Sequence, residues 1–490
     1  MKINSKVLLV INLLYCYTPT ILFLWGWISL WISIPTSLVL GYFIYSYQKS
    51  QVKEDEVCVR RIALYGGGIL LFAIGLAAGM CNILPQSYDY EKHNAVLQDL
   101  VRYQWPVIYD KYDKAMLTYY IGQYLTPALL GKLFGLRVAD VLMGLLGISG
   151  MMLITINMIQ ITNAKKSWQQ IVVVLSVILF SGLLLPLQHT LACMFPQQMV
   201  YPNTDISSVG CLWGIYIDNY HFEYRSFFTI WQFVHQQAII PLLCTIMFLR
   251  DKYNYRYLAL LALPAYIAGT WAFLGLVVII LCWIIGQLIL TKGSIFLKCL
   301  SWENMFCIIV PGICITIYFI GNVTGNKPDT MAFRFDFTLK HTMYYLLFCL
   351  FMFGFYVLAI ARHFRKDILF WIIVAELLVI PLSSHTDFVM CTSIPSLLCL
   401  MFYILTFLFS EQKSLLLSKV ALSICLLIGF YVPIIQIRKA AVHVPYDRFY
   451  EISLVDNTDR NNPEIGNAMK YQYYTYEPDD SLFYKYIARK

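Results

Sequence analysis

"MKINSKVLLVINLLYCYTPTILFLWGW", residues 1–27, places Lys2 and Lys6 ahead of an apolar run of about twenty residues. A secretory signal starts in the same basic way. Here the apolar run is too long for one, and no small-residue cleavage site follows it. The stretch reads as a retained first membrane span, because a helix needs roughly 20 apolar residues to cross the hydrocarbon layer.

The composition says that most of the chain follows this first span into lipid. Of 490 residues, 59% are hydrophobic, 16% aromatic and 13% charged, and the mean hydropathy is +0.64. A soluble domain carries about 25% charged residues, so these charges are too few to build a water-facing surface. The fold class expected is an all-α polytopic membrane protein. The formal net charge of +8 is no sign of nucleic-acid binding, since its Lys and Arg sit mostly in short loops, where they set topology.

Spans are expected at about 7–25, 27–46, 62–84, 137–160, 169–187, 228–249, 257–269, 270–290, 303–320, 341–361, 367–382, 394–410 and 414–435, about 13 transmembrane helices. The pair at 257–290 is one long apolar stretch interrupted by Pro264 and Gly269. With the N-terminus in the cytoplasm and this pair counted as two spans, "KSQVKEDEVCVRR", "NAKKSW", "RDKYNYR", "TKGSIFLK", "ARHFRK" and "SEQK" all fall inside, as the positive-inside rule asks. The outer side then receives 85–136, 188–227, 321–340 and 383–393. A transmembrane domain over 1–435 is followed by an outer tail, 436–490, too small for a domain of its own. The expected address is a bacterial cytoplasmic (inner) membrane, with the C-terminus outside. Inner loops are short connectors and outer loops are long and chemically varied, so function is expected on the outer face.

The 14 cysteines mostly stand singly in apolar runs (Cys244, Cys282, Cys349, Cys399, Cys425), without zinc-ligand spacing, and read as small hydrophobes. Cys193 and Cys211 share one expected outer loop, where either a disulfide or two free thiols fits. "NVT" at 322–324 matches an N-glycosylation sequon and reads as a chance match. Glu376, in "WIIVAELLVIP", is the clearest ionisable residue within a span, where pairing with another helix and a relay are both open. The amide- and aromatic-rich second outer loop suits either sugar recognition or an aromatic belt. His235, Gln236 and Gln237 begin a span, where polar groups need a reason.

The first outer loop carries the densest chemistry. "SYDYEKHNAVLQDL" (87–100) sets Asp89, Glu91, Lys92 and His93 just after an apolar run. Val96, Leu97, Leu100 and Val101 recur on one helical face, which predicts a helix lying along the membrane surface. "MLTYYIGQYLTPALLGKLFG" (116–135), studded with Tyr, Gly and Pro127, suits an interfacial or re-entrant helix. Asp89 precedes the first of these helices. It serves there either as an N-cap or as a carboxylate acting as a base or holding a cation.

A many-span chain with an acidic D-x-E pair in its first long outer loop resembles the GT-C superfamily of integral-membrane glycosyltransferases. "DYE", Asp89 to Glu91, carries the resemblance. The wider string through 135 and "TDFVMCTSIPSLLCL" (386–400) also resemble uncharacterised bacterial membrane proteins of GT-C type. GT-C enzymes place the acidic loop after the first span, whereas here it follows the third.

The resemblance implies transfer of a sugar from a polyprenyl-phosphate carrier to a glycan, lipid or protein acceptor of the cell envelope. Asp89 would be the general base. Glu91 would orient it or, with Asp89, hold a divalent cation such as Mg or Mn. A hydroxyl is a poor nucleophile without a base in reach, and the leaving phosphate needs donors or positive charge. Candidates for contact with substrate are Lys92, His93, Arg225, His235, Gln236, Arg334, Lys340, His341 and His385. Two other readings stay open: a transporter or flippase for a lipid-linked saccharide, and an O-antigen-polymerase-like enzyme relying on Arg225 and Arg334. Partners under every reading are the bilayer and a saccharide-bearing lipid, without nucleic acid.

Overall fold

The computed structural model describes residues 1–50, 56–84, 86, 90–109, 115–184, 186–187, 214–217, 220–322, 338–383, 386–412, 415–442, 474–475 and 481–490. Asp89, Arg334, His385, Cys193 and Cys211 lie outside the described residues, as does the Glu91 side chain.

The described chain is helical almost throughout. Its helices are α1 (Ser5–Trp27), α2 (Leu30–Ser50), α3 (Ile62–Ala77), α4 (Tyr90–Arg102), α5 (Gly122–Phe134), α6 (Leu136–Ile161), α7 (Ser167–Leu179), α8 (Phe227–Phe233) and α9 (His235–Asp251). They continue as α10 (Leu258–Ala268), α11 (Thr270–Leu290), α12 (Trp302–Ile320), α13 (Leu339–Phe364), α14 (Ile368–Leu382), α15 (Phe388–Phe409), α16 (Leu416–Val442) and α17 (Leu482–Tyr486). Eight of them, α1, α2, α6, α11, α12, α13, α15 and the body of α16, are long and apolar enough to cross a membrane. The chain is a multi-pass, all-α membrane protein. Strands are short: β1 (Lys2–Asn4) pairs antiparallel with β2 (Glu56–Cys58), and β3 (Ile108–Tyr109) with β4 (Ala115–Leu117). A hairpin joins β5 (Gly214–Ile217) to β6 (Tyr220–Glu223), and β7 (Tyr474–Thr475) adds to β4.

Helix α9 lies at the centre, with every residue from His235 to Leu249 buried. A helix that is apolar on all sides has to be enclosed by others, and α6, α10 and α15 pack on it. In lipid the hydrophobic effect does not drive helices together, so association rests on close packing and polar pairs. Both devices occur on α6. Its glycines recur along one face: a Cβ on Gly144 would stand 2.0 Å from the Cys81 backbone nitrogen, and one on Gly150 would stand 2.3 Å from Ile239 Cγ2. Toward its other end Asn157 exchanges two amide hydrogen bonds with Asn12 of α1, at 2.8 and 3.0 Å.

Described parts of the expected outer segments meet at one end of the bundle. Tyr119 N–H donates to Tyr318 Oη, and Asn322 Nδ2 donates to the Thr118 carbonyl, at 2.9 and 2.8 Å. The C-terminal segment docks here too: Arg489 N–H donates to the Trp27 carbonyl and Ser29 N–H to the Ile487 carbonyl. Trp27 packs on Trp105, and Phe483 on Tyr318. At the opposite end Gln170 donates to the carbonyls of Cys58 and Ala164, Arg250 pairs with Asp251, and Arg256 with Glu303. Segments expected to share a side thus meet.

Two expectations need correction. Helix α4 does not spread its apolar face over a membrane surface: Ala95, Val96, Leu97 and Leu100 are buried against α5 and α6. The periodicity marks the buried face but cannot say whether lipid or protein covers it. The helix expected over 116–135 also begins only at Gly122, with Ala115–Leu117 in a strand, and Tyr109 donates a 2.7 Å hydrogen bond to a buried Asp99. Helix α5, 13 residues long, is too short to span.

Gly144→Ala is expected to lower stability by about 1–3 kcal/mol, the cost of overpacking a rigid neighbour. Gly41→Ala, with nothing within 4 Å of its Cβ, should be close to neutral. Thermal unfolding of both variants in detergent checks the pair.

Candidate functional site

A small cavity, with about 20 Å³ of room for water-sized groups, opens at the end of the bundle where Thr118 and Tyr119 meet Tyr318 and Asn322. Its floor is the turn after α3. There Gly79, Cys81 and Asn82 take positive φ of 87°, 64° and 51°. For the two non-glycine residues this left-handed conformation costs roughly 1–2 kcal/mol each. Gly144 of α6 lets it persist, because any side chain there would strike Cys81. Strain that packing holds in place concentrates at functional sites.

One wall comes from α4, with Tyr90, His93 and Asn94, extended by Gln86 just before it. Opposite stand Tyr124 of α5, Asp140 of α6, and His235 and Gln236 at the start of α9. The apolar remainder, including Met80 and Met143, closes the base.

Hydrogen bonds fix most of these groups. Tyr90 Oη donates to the Ala78 carbonyl at 3.0 Å and lies 3.2 Å from His235 Nδ1. That nitrogen is also 3.1 Å from the Trp231 carbonyl. Both carbonyls can only accept. The Tyr90 proton therefore goes to Ala78, the His235 proton sits on Nδ1, and in the neutral ring the lone pair is left on Nε2. His93 Nδ1 is 2.5 Å from Tyr124 Oη. The Tyr90 ring lies between the two imidazoles, with centroids 6.4 Å from His93 and 5.6 Å from His235. Gln86 donates to the Gly79 carbonyl and accepts from Asn94, at 3.0 and 2.7 Å. Asn82 faces the Asp140 carboxylate.

His93 lies outside the spans. Burial, with the Lys92 charge beside it, pushes its pKa from the ordinary 6.5 down to about 3. Near neutral pH it is an uncharged donor or acceptor rather than a cation for a phosphate.

The sequence-expected site residues divide as follows. His93, His235 and Gln236 meet in the cavity wall, although Tyr90 of α4 and His235 of α9 stand 145 residues apart in sequence. Lys92, Arg225 and His341 do not line it. Arg225 is buried over the Phe233 ring, and His341 sits on the N-cap Thr338. Glu376 is remote from the cavity and accepts a hydrogen bond from Ser396 of α15, an interhelical pair. Sequence reasoning did not single out Tyr90, Asn82 or Tyr124. A carboxylate in the first turn of a span, as Asp140 is, is itself a signal. Among the described residues no group of three or more His, Cys, Asp or Glu is arranged to hold a metal ion.

No family model, curated protein or solved structure matches the chain.

His93 also makes a pH prediction. Its folded pKa is depressed, so the stability it contributes is fully present above about pH 6.5. It is lost as the pH falls toward 3, because the unfolded ring takes up a proton that the buried one refuses. Between pH 7.5 and 4.5 the protein is expected to lose about 3 kcal/mol at this position, a loss His93→Gln escapes. Equal acid sensitivity of the two proteins in thermal unfolding would contradict a buried neutral imidazole.

Proposed function

We propose that the chain is a membrane glycosyltransferase of GT-C type, moving a sugar from a polyprenyl-phosphate carrier to an acceptor hydroxyl at the outer face of the cytoplasmic membrane. The observation that supports it best is the cavity. Gln86 on one side of the D-x-E segment and Tyr90, His93 and Asn94 on and beyond it stand in one wall. An acidic pair in that segment is therefore adjacent in sequence to a polar cavity in the protein.

Asp89 takes the proton of the acceptor hydroxyl. The acceptor oxygen bonds to the anomeric carbon, and the bond from that carbon to the carrier phosphate breaks, the phosphate leaving with the electron pair. Glu91 orients Asp89. Thirteen spans fit this reading: the eight long helices, the shorter apolar segments of α3, α7, α10 and α14, and α8 with α9. So does an outward placement of the end that bears the cavity.

A flippase would need polar groups along a path through the spans. Glu376 is instead paired with Ser396, and Asp140 belongs to the cavity.

Asp89→Asn and Asp89→Ala are expected to lower glycan transfer at least about 100-fold, the usual worth of a positioned base, with insertion and yield unchanged. Transfer is followed as label passing from a lipid-linked donor to envelope acceptors in membranes carrying each variant. Retained transfer by Asp89→Ala removes the base assignment. Loss only in Arg225→Ala and Arg334→Ala would favour a polymerase-like enzyme, and movement of donor across the bilayer without product a flippase.

A further inference from the structure

We infer that the link between α11 and α12, residues 291–302, is a docking surface for anionic phospholipid. Phe296, Leu297, Leu300 and Trp302 enter the acyl boundary of the leaflet, and Lys292 and Lys298 hold headgroup phosphates.

The link is firmly built. Helix α11 closes with Thr291 N–H on the Gln287 carbonyl and Gly293 N–H on the Leu288 carbonyl, at 2.9 and 2.8 Å. Lys292 and Gly293 take positive φ of 50° and 82°, which turns the chain out of the span. Ile295 is buried, as is Asn304 of α12. The Asn304 amide donates to the carbonyls of Tyr255 and Cys299 at 2.7 and 3.0 Å and accepts from the Ala259 N–H at 2.9 Å. Ser301 Oγ donates to the Arg256 carbonyl at 2.7 Å. The short helical turn Phe296–Cys299 is thereby pinned onto the connection that leads from α9 into α10.

On this platform the large apolar side chains face away from the protein. Phe296 is 53% exposed, Leu297 80%, Leu300 48% and Trp302 67%. Four such side chains within seven residues form a patch that needs a cover, and its neighbours say which. Ile289 and Leu290 at the end of α11, and Ile308 and Ile309 early in α12, are all at least half exposed. They belong to helices long and apolar enough to span, whose outward faces meet lipid. The patch continues that surface at its rim, where the hydrocarbon gives way to headgroups and Trp is favoured.

Charge then selects the lipid. Lys292 and Lys298 are exposed, and no Asp or Glu occurs from 291 to 302. The next carboxylate along the chain, Glu303, is buried and paired with Arg256 at 2.6 Å. A lysine stem lies along apolar surface while its ammonium reaches outward, and phosphate oxygens accept charge-assisted hydrogen bonds from it. A second copy of the chain is disfavoured as the cover, because a two-fold contact presents the same patch from both sides and would set these lysines against one another.

The test places the photoreactive residue p-benzoylphenylalanine at position 297 of the full chain, and in a second protein at Leu281. Leu281 lies midway along α11 and is 52% exposed. Both proteins are irradiated in nanodiscs of equimolar phosphatidylglycerol and phosphatidylcholine with matched acyl chains, and lipid adducts are counted by mass spectrometry. The adduct ratio at 281 gives the background. At 297 the ratio of phosphatidylglycerol to phosphatidylcholine is expected to exceed that background at least about fivefold, the worth of one cation near an anionic surface. Combining Lys292→Gln with Lys298→Gln should return it to background, and about 1 M salt should weaken it in the unaltered protein by screening.

The inference is overturned if position 297 yields no lipid adducts, if its adducts are mainly to polypeptide, or if its lipid ratio equals that at 281. A preference that survives in the folded double variant also overturns it. Should that variant fail to fold, the salt series on the unaltered lysines decides, and a preference indifferent to salt counts against them.

Discussion

The cavity depends on one contact: the backbone of Cys81 pressed against Gly144. The turn that ends α3 passes through a left-handed conformation at three positions between 79 and 82, and α6 accommodates it only because residue 144 has no side chain. The same face of α6 then meets Ile239 of α9 at Gly150. Two turns of packing thereby fix α3, α6 and α9 relative to one another. In hydrocarbon, where burial gives helices little reason to associate, such close backbone approach is the main source of specificity. His235 and Asp140 reach the cavity because their helices are held at that distance.

Once the frame is set, hydrogen bonding determines the character of the site. Two histidines that look on paper like cations for a phosphate are buried, with Nδ1 committed to protein: His93 to Tyr124 and His235 to Trp231 and Tyr90. Removing an imidazolium from water is expensive unless a carboxylate compensates it, and His93 is accordingly neutral. On the proposed reading, charge for a leaving phosphate has to come from groups other than these two imidazoles.

Much of the fold was legible in the sequence, for a simple reason. Lipid imposes length and apolarity on each crossing segment, so composition and run length carry the information, and "MKINSKVLLVINLLYCYTPTILFLWGW" becomes α1. The placement of loops at two ends was legible through their Lys and Arg content. The partner of an amphipathic face was not. Val96, Leu97 and Leu100 repeat with helical spacing whether lipid or protein covers them, and protein does. In the site, His235 and Gln236 stood out because polar groups at the start of a span need a reason, and His93 because it sits beside an acidic pair. Tyr90 and Asn82 carried no such mark. A tyrosine at a membrane boundary is ordinary, and the left-handed turn through Cys81 and Asn82 is invisible without Gly144, which faces Cys81 from 63 residues further along the chain.

The most direct test of the central proposal, that a lipid-linked sugar is handled beside this cavity, is site-resolved photocrosslinking. A polyprenyl-phosphate sugar carrying a photoreactive group on the sugar ring would be irradiated with the full chain in membranes and the labelled peptides mapped by mass spectrometry. Labelling should concentrate on 78–97 and 235–247, and excess unlabelled donor should suppress it. Labelling confined to peptides around Glu376 and Ser396, with none on α4 or α9, would contradict the account.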